Sequence, residues 1–487
     1  MIKRADVKRV IDATTIRFEK CWECLASLKN GSLLEHTELS ILQFQPTLAA
    51  ALSDLSSIYR MLSEEKERTI KKKSNLSYIW FARRMRFLSS QQDVVRRVLA
   101  VGKSIGDGFA WFFYQNNTDY LNEHLKESPQ LLMPSGVGGY AELEVVKQIP
   151  VASGHFLLYH GITSILRLGD FSLVNMKEFR VVTVGEIKAG KPVDGKLRVQ
   201  MIFPCNPVTG EVLDVSMEEK KQGNKLKDSD DILSASAQDR LARQMHRMAS
   251  AHSKLTSRPD RKLSHEMEDR LKEFDRFLGG LRHGRCRFMR MGDSILLIGL
   301  SMRQGAMYTR MAKGSKTNWA AKIEGLEREA LAILIPDRQD NAIYIGNWFY
   351  DEQGVAPHRP GMTHQVWWPI SSENIRKIIF HEVMLFTVYN PAHLIRELER
   401  SGFSVTESSG RKFSAKKMVG DKMIELGGIS HYLELIQRYF FSERDVVAVL
   451  GQVENQIASV VGEGLGRIDL QFVQRFGRPP EVESDDV

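Results

Sequence analysis

Three residues near the middle of the chain carry the chemistry that the sequence offers most plainly. Asp170 stands in Gly169-Asp170-Phe171-Ser172-Leu173-Val174, and Glu186 and Lys188 close the run Val181-Val182-Thr183-Val184-Gly185-Glu186-Ile187-Lys188. The β-branched apolar residues before Glu186 read as a strand, and strand alternation sends Glu186 and Lys188 to one face and Ile187 to the other. With the Asp170 segment paired alongside, two carboxylates and one ammonium converge. Such a set suits Mg2+, with Mn2+ as a substitute, because this hard cation takes one or two protein carboxylates and completes its shell with water and phosphate oxygens. A cation held there lowers the pKa of a bound water and neutralises charge on a phosphate under attack. Lys188 is placed to orient that water or to offset transition-state charge, and the main-chain carbonyl of Ile187 is a further ligand to expect.

This D…ExK arrangement resembles the PD-(D/E)xK nuclease superfamily, which has the restriction-endonuclease-like fold. The resemblance covers residues 138–203 and does not extend into the flanking regions. In that family a helix precedes the strands and often supplies an acidic residue. Here Gly139-Tyr140-Ala141-Glu142-Leu143-Glu144-Val145-Val146 holds the matching place, with Glu142 in that role and Glu144 behind it. The family's proline before the aspartate is replaced by Gly169. What the resemblance implies is a Mg2+-dependent DNA endonuclease that hydrolyses phosphodiester bonds at Asp170, Glu186, Lys188 and Glu142. By analogy, a nuclease with large unmatched outer domains fits bacterial anti-phage defence or mobile-element biology. The alternative is a non-catalytic nucleic-acid-binding or assembly protein that keeps the scaffold, and the intact trio argues against it. A third reading is an interaction protein unrelated to nucleic acid.

Nucleic-acid contacts are expected in two places. Residues 197–203 alternate as a strand, which gathers Lys196, Arg198 and Gln200 on one face, and Gln200 lies where some relatives carry Gln or Lys near the metal. The helical stretch Tyr78-Ile79-Trp80-Phe81-Ala82-Arg83-Arg84-Met85-Arg86-Phe87 offers Arg83, Arg86 and, further on, Arg97 to a DNA backbone, with its aromatics assigned to the core. A formal charge of +8 and an isoelectric point near 9.1 point modestly the same way.

Other signals carry less. His155 and His160 read as structural residues of a strand and turn. Gly102-Lys103-Ser104 lacks the first glycine of a phosphate loop, since Arg97 stands there, and it lies on a helical pattern. Cys21 and Cys24 have metal-ligand spacing but no second pair, so they read as ordinary helical cysteines. Four cysteines are too few for a disulfide framework. No apolar run approaches a membrane span and the N-terminus lacks a secretory pattern, so a cytoplasmic protein with DNA, and a protein partner or second copy, is expected.

The elements that must position the site follow from periodicity. A multidomain α/β chain is expected: a helical N-terminal domain over 1–130, and a nuclease-like core with a mixed sheet over 131–310. A charged helical insertion near 216–283, a C-terminal α/β domain over 311–475 and a disordered acidic tail over 476–487 complete it. Within the core the pattern predicts a helix at 140–147 and strands at 162–168, 171–174, 180–187 and 197–203. The run 294–300 reads as a strand that either returns to that sheet or opens the next domain. Helices are predicted at 390–401 and 432–442.

Overall fold

The computed structural model describes residues 1–30, 37–115, 117–152, 154–177, 180–190, 199–204, 243–250, 270–301, 345–349, 362–408, 412–420, 422–426 and 429–459. These combine helices with antiparallel sheets in a mixed α/β architecture. The expected tail over 476–487 and most of the insertion near 216–283 lie outside the described residues. The chain divides into two compact units, one within Met1–Asp260 and Gln353–Trp367, the other within Arg261–Glu352 and Trp368–Gly477.

In the first unit, α1 (Arg4–Lys29), α2 (Thr37–Lys71) and α3 (Tyr78–Tyr114) form a helical bundle, followed by α4 (Thr118–Leu125) and α5 (Gly136–Gln148). The sheet runs β1 (Val151–Ala152), β2 (His155–Tyr159), β3 (Phe171–Asn175), β4 (Arg180–Ala189) and β5 (Val199–Ile202), paired in that order. Every pairing in it is antiparallel; the parallel pairing that a mixed sheet requires is not among the described residues.

The domain boundary expected near residue 130 falls inside this unit. The helices and the sheet share one core: Phe109 of α3 stacks on Phe44 of α2 with centroids 4.0 Å apart, and Phe113 meets Phe156 of β2 at 5.3 Å. Gln45 of α2 completes the join. Its side chain donates to Leu157 O and accepts from Tyr159 N, both at 2.7 Å, supplying backbone partners that the two-residue β1 is too short to provide. The Pro, Ser and Gly cluster at 134–139 therefore starts α5 instead of ending a domain.

A second correction concerns 162–168, which is a buried loop and not a strand; β2 lies earlier, at His155–Tyr159. Ile162, Ile165, Leu166 and Leu168 are buried there, so their apolarity mimics a strand. Side chains satisfy the loop's polar backbone. Lys103 Nζ donates to Gly161 O at 2.6 Å and Thr163 O at 3.1 Å, while Asp107 accepts from Ser164 N, Ser164 Oγ and Ile165 N.

In the second unit, β6 (Cys286–Met291), β7 (Ile295–Ser301), β8 (Ile345–Trp348) and β9 (Val383–Tyr389) form a sheet ordered β6-β7-β9-β8. The run 294–300 thus belongs to the second unit's sheet, as its second strand in chain order, and does not return to the first. A three-stranded meander, β10 (Ser404–Ser408), β11 (Lys412–Val419) and β12 (Lys422–Leu426), follows Ala392–Arg400, and the helices predicted near 390–401 and 432–442 are present as Ala392–Arg400 and Ile429–Tyr439. Trp368 and Phe349 are core residues of this unit, packed around Phe274.

Candidate active site

The site forms where β3 and β4 leave the core. Phe171 pairs with Gly185, and Asp170 N donates to Gly185 O at 2.8 Å, extending the ladder by one residue so that Asp170 stands beside Glu186. Asp170 Oδ2 accepts the main-chain N–H of Ile187 at 2.7 Å. Lys188 Nζ, two residues on, donates to Glu186 Oε1 at 2.9 Å. Across the next pairing Lys188 faces Gln200, which puts that exposed amide on the face of the ammonium.

Gly169 explains the missing proline. Its φ of +74° is closed to proline, and a Cβ there would stand 2.6 Å from Gly185 O, so only glycine lets β3 enter this close to β4. The turn is also held from behind by a buried relay. His124 Nδ1 accepts from Arg167 N at 3.1 Å and Leu168 N at 3.0 Å, which leaves the proton on Nε2 to donate to Tyr114 Oη at 2.9 Å. Tyr114 then donates to Ser172 Oγ at 2.6 Å, Ser172 to His160 Nε2 at 2.5 Å, and His160 Nδ1 to Gly169 O at 3.0 Å. Burial holds both imidazoles neutral, with His160 pulled down to about 3. These histidines are structural.

Glu142 arrives from α5, which packs on β4. It is buried, and Tyr159 of β2 donates its hydroxyl to Glu142 Oε2 at 2.7 Å. Burial pushes the Glu142 carboxyl up to about 7, opposed by the Tyr159 hydroxyl and assisted by the charge of Glu186. Asp170 is pushed up to about 8 by burial, then by Glu186 and Glu142, against the Ile187 N–H and Lys188. Three carboxylates therefore share a desolvated site close enough to repel one another, with one ammonium among them. Glu186 Oε2 is buried with no hydrogen-bond partner.

Among the described residues no three His, Cys, Asp or Glu side chains already stand as a ligand cluster. The donor set nonetheless fits a hard divalent cation: the atoms are carboxylate oxygens, one of them orphaned, and their mutual repulsion is what a cation relieves. Asp170 and Glu186 would hold it, with Glu142 adjoining and the Ile187 main chain beside them.

Sequence reasoning did not find Tyr159 or Lys103. Tyr159 sets the orientation of Glu142, and the completely buried Lys103, pulled down to about 8 by burial, acts on Glu142 through charge while it holds the 161–163 loop. Its two carbonyl partners confirm that Gly102-Lys103-Ser104 is no phosphate loop. No sequence signal marks these side chains, because their partners are distant in the chain.

The expected nucleic-acid contacts divide. Arg83 and Arg86 are exposed on α3. Arg97 is not presented to a ligand: its Nε and one Nη are buried, and burial lowers its pKa. Lys196 and Arg198 lie outside the described residues. Tyr78 and Trp80, aromatics assigned to the core from sequence, are exposed, and so is Ile79 between them. Cys21 is a buried free thiol in α1 and Cys24 its half-buried neighbour, with the Cys24 thiol pushed up to about 11 by burial. No helix among the described residues is long and apolar enough to cross a membrane.

No protein-family model matches the chain, nor does any curated protein or solved structure.

Proposed function

We propose that the chain is a Mg2+-dependent DNA endonuclease of the PD-(D/E)xK kind. The observation that carries this reading is Asp170 held beside Glu186 with Lys188 bonded to Glu186, in a site where Glu186 Oε2 is buried and unpartnered and Glu142 acts on Asp170 through charge. Acidic groups that repel one another when ionised in a desolvated site cost a fold stability, and a structural role gives no return for that cost.

A bound divalent cation supplies Lewis-acid activation of water and of the scissile phosphate. The chain's residues do the rest. Asp170 and Glu186 hold the charge, with Asp170 fixed by the Ile187 N–H so that its carboxylate does not swing away. Lys188 sits against Glu186 and presents an ammonium to the phosphate or to the attacking water once Glu186 is otherwise engaged. Glu142, pushed up to about 7 by burial, can hold or release a proton at Oε1 while its Oε2 accepts the Tyr159 hydroxyl. Gln200, facing Lys188, can donate to a phosphate oxygen.

Incubation of the purified chain with supercoiled plasmid and linear duplex, in Mg2+ or Mn2+ and then in chelator, tests the reading. Metal-dependent nicking or fragmentation is expected; a chain that cuts neither substrate in either metal leaves the non-catalytic scaffold in its place.

A further inference from the structure

The hairpin between α2 and α3 has a composition unlike the rest of the unit. Residues 68–92 contain seven cations, Arg68, Lys71, Lys72, Lys73, Arg83, Arg84 and Arg86, and no Asp or Glu. Two of the seven are committed elsewhere: Arg84 pairs with Glu65 in a half-buried bridge and Arg68 with Glu64. Lys71, Lys72, Lys73, Arg83 and Arg86 are exposed and form no ion pair among the described residues, and Lys73 stands 5.7 Å from the Phe81 ring centroid.

Among these cations stand apolar side chains that the core does not claim. Tyr78 is 79% exposed, Ile79 64% and Trp80 40%, with Ile70 across the turn also exposed. The helix start is well formed, since Ser77 accepts from Trp80 N and caps it, so the aromatics are displayed on ordered backbone. Ile79, Arg83 and Arg86 follow at helical spacing and share one stripe.

Resting on the nuclease reading above, we infer that this tip is a nucleic-acid contact selective for unpaired strand, in which Lys71, Lys72, Lys73, Arg83 and Arg86 neutralise phosphates while Tyr78 and Trp80 stack on exposed bases. Charge complementarity selects a polyanion, because the excess of cations is local and uncompensated. The aromatics select unstacked bases, since every base offers a π-face that a duplex hides. Twenty-three residues of α3 separate Trp80 from Lys103, so the tip stands roughly 35 Å from the site end of that helix, about one turn of duplex. A substrate reaching both must carry its unpaired segment that far from the cut.

The test is binding of a fluorescein-labelled single strand of about 15 nucleotides, beside its duplex, to the full chain in chelator, so the result is independent of cleavage. The expected result is tighter single-strand binding by wild type. Tyr78→Ala/Trp80→Ala weakens it on the order of ten-fold and leaves the duplex unchanged. Lys71→Ala/Lys72→Ala/Lys73→Ala weakens both and reduces the salt slope by about two for the single strand and about three for the duplex. Single-strand binding unaffected by the aromatic changes overturns the inference. So does Trp80-dependent emission that shifts with phosphatidylserine vesicles and not with the oligonucleotide, which would make the tip a membrane contact.

Discussion

The carboxylate of Asp170 and the main-chain N–H of Ile187 are joined by a 2.7 Å hydrogen bond that reaches from the entry of β3 to the strand carrying Glu186 and Lys188. That bond sets the spacing of the two carboxylates, because Ile187 lies between Glu186 and Lys188 in sequence. It also holds one buried acidic group beside another, an arrangement that costs stability when both are ionised and no cation is present.

Asp170→Asn keeps an acceptor for the Ile187 N–H and removes one of the repelling charges. It is expected to raise the melting temperature in chelator by a few degrees while abolishing cleavage, the trade-off of a site whose stability is sacrificed to function. A variant that melts below wild type in chelator would show that the carboxylates are not in mutual strain.

Gly169→Pro restores the residue that the family places before the aspartate, yet the φ of +74° excludes it. The substitution is expected to destabilise the chain by about 2–3 kcal/mol in urea unfolding. Unchanged stability would mean that the turn into β3 tolerates the negative φ of proline.

Lys103→Met removes the donor to Gly161 O and Thr163 O, two carbonyls buried in the loop before β3. A loss of about 1–3 kcal/mol is expected, with faster amide exchange confined first to 160–170. Exchange spread evenly through the unit would contradict the lysine's local role.

Histidine and carboxylate burial act on stability in opposite directions. His124, His160 and His364 have folded pKa values below the ordinary 6.5, His160 and His364 at about 3, so their contribution is complete above 6.5 and is lost as pH falls below it. Glu142 and Asp170, raised to about 7 and 8, stabilise at low pH and lose that contribution as pH rises through those values. Asp107, raised to about 6 by burial, acts in the same sense as these carboxylates. The Glu142→Gln/Asp170→Asn variant is therefore expected to lose stability more steeply than wild type as pH falls from about 7 to about 5, read by thermal unfolding. Parallel curves would refute the assignment.

Asp170, Glu186 and Lys188 were legible in sequence because strand alternation and a β-branched run are local, and the register of β3 on β4 and β4 on β5 follows that reading. The strand at His155–Tyr159 was not, since the buried loop at 162–168 carries equal apolarity and owes its shape to Lys103, Asp107 and His124, all far away in the chain. The same distance hid Tyr159 as the partner of Glu142. The helical segment looked like a separate domain because nothing local in Gln45 or Phe109 announces that they bind β2 and share its core. Tyr78 and Trp80 were misplaced because an aromatic beside helical apolar residues ordinarily packs inward.

The central claim is that Asp170 and Lys188 belong to one phosphodiesterase site. Plasmid cleavage in Mg2+ by wild type, Asp170→Ala and Lys188→Ala, each verified as folded, tests it most directly. The account predicts cutting by wild type and none by either variant. Cutting that survives both substitutions, or a wild type that binds DNA without ever cutting it, would contradict it.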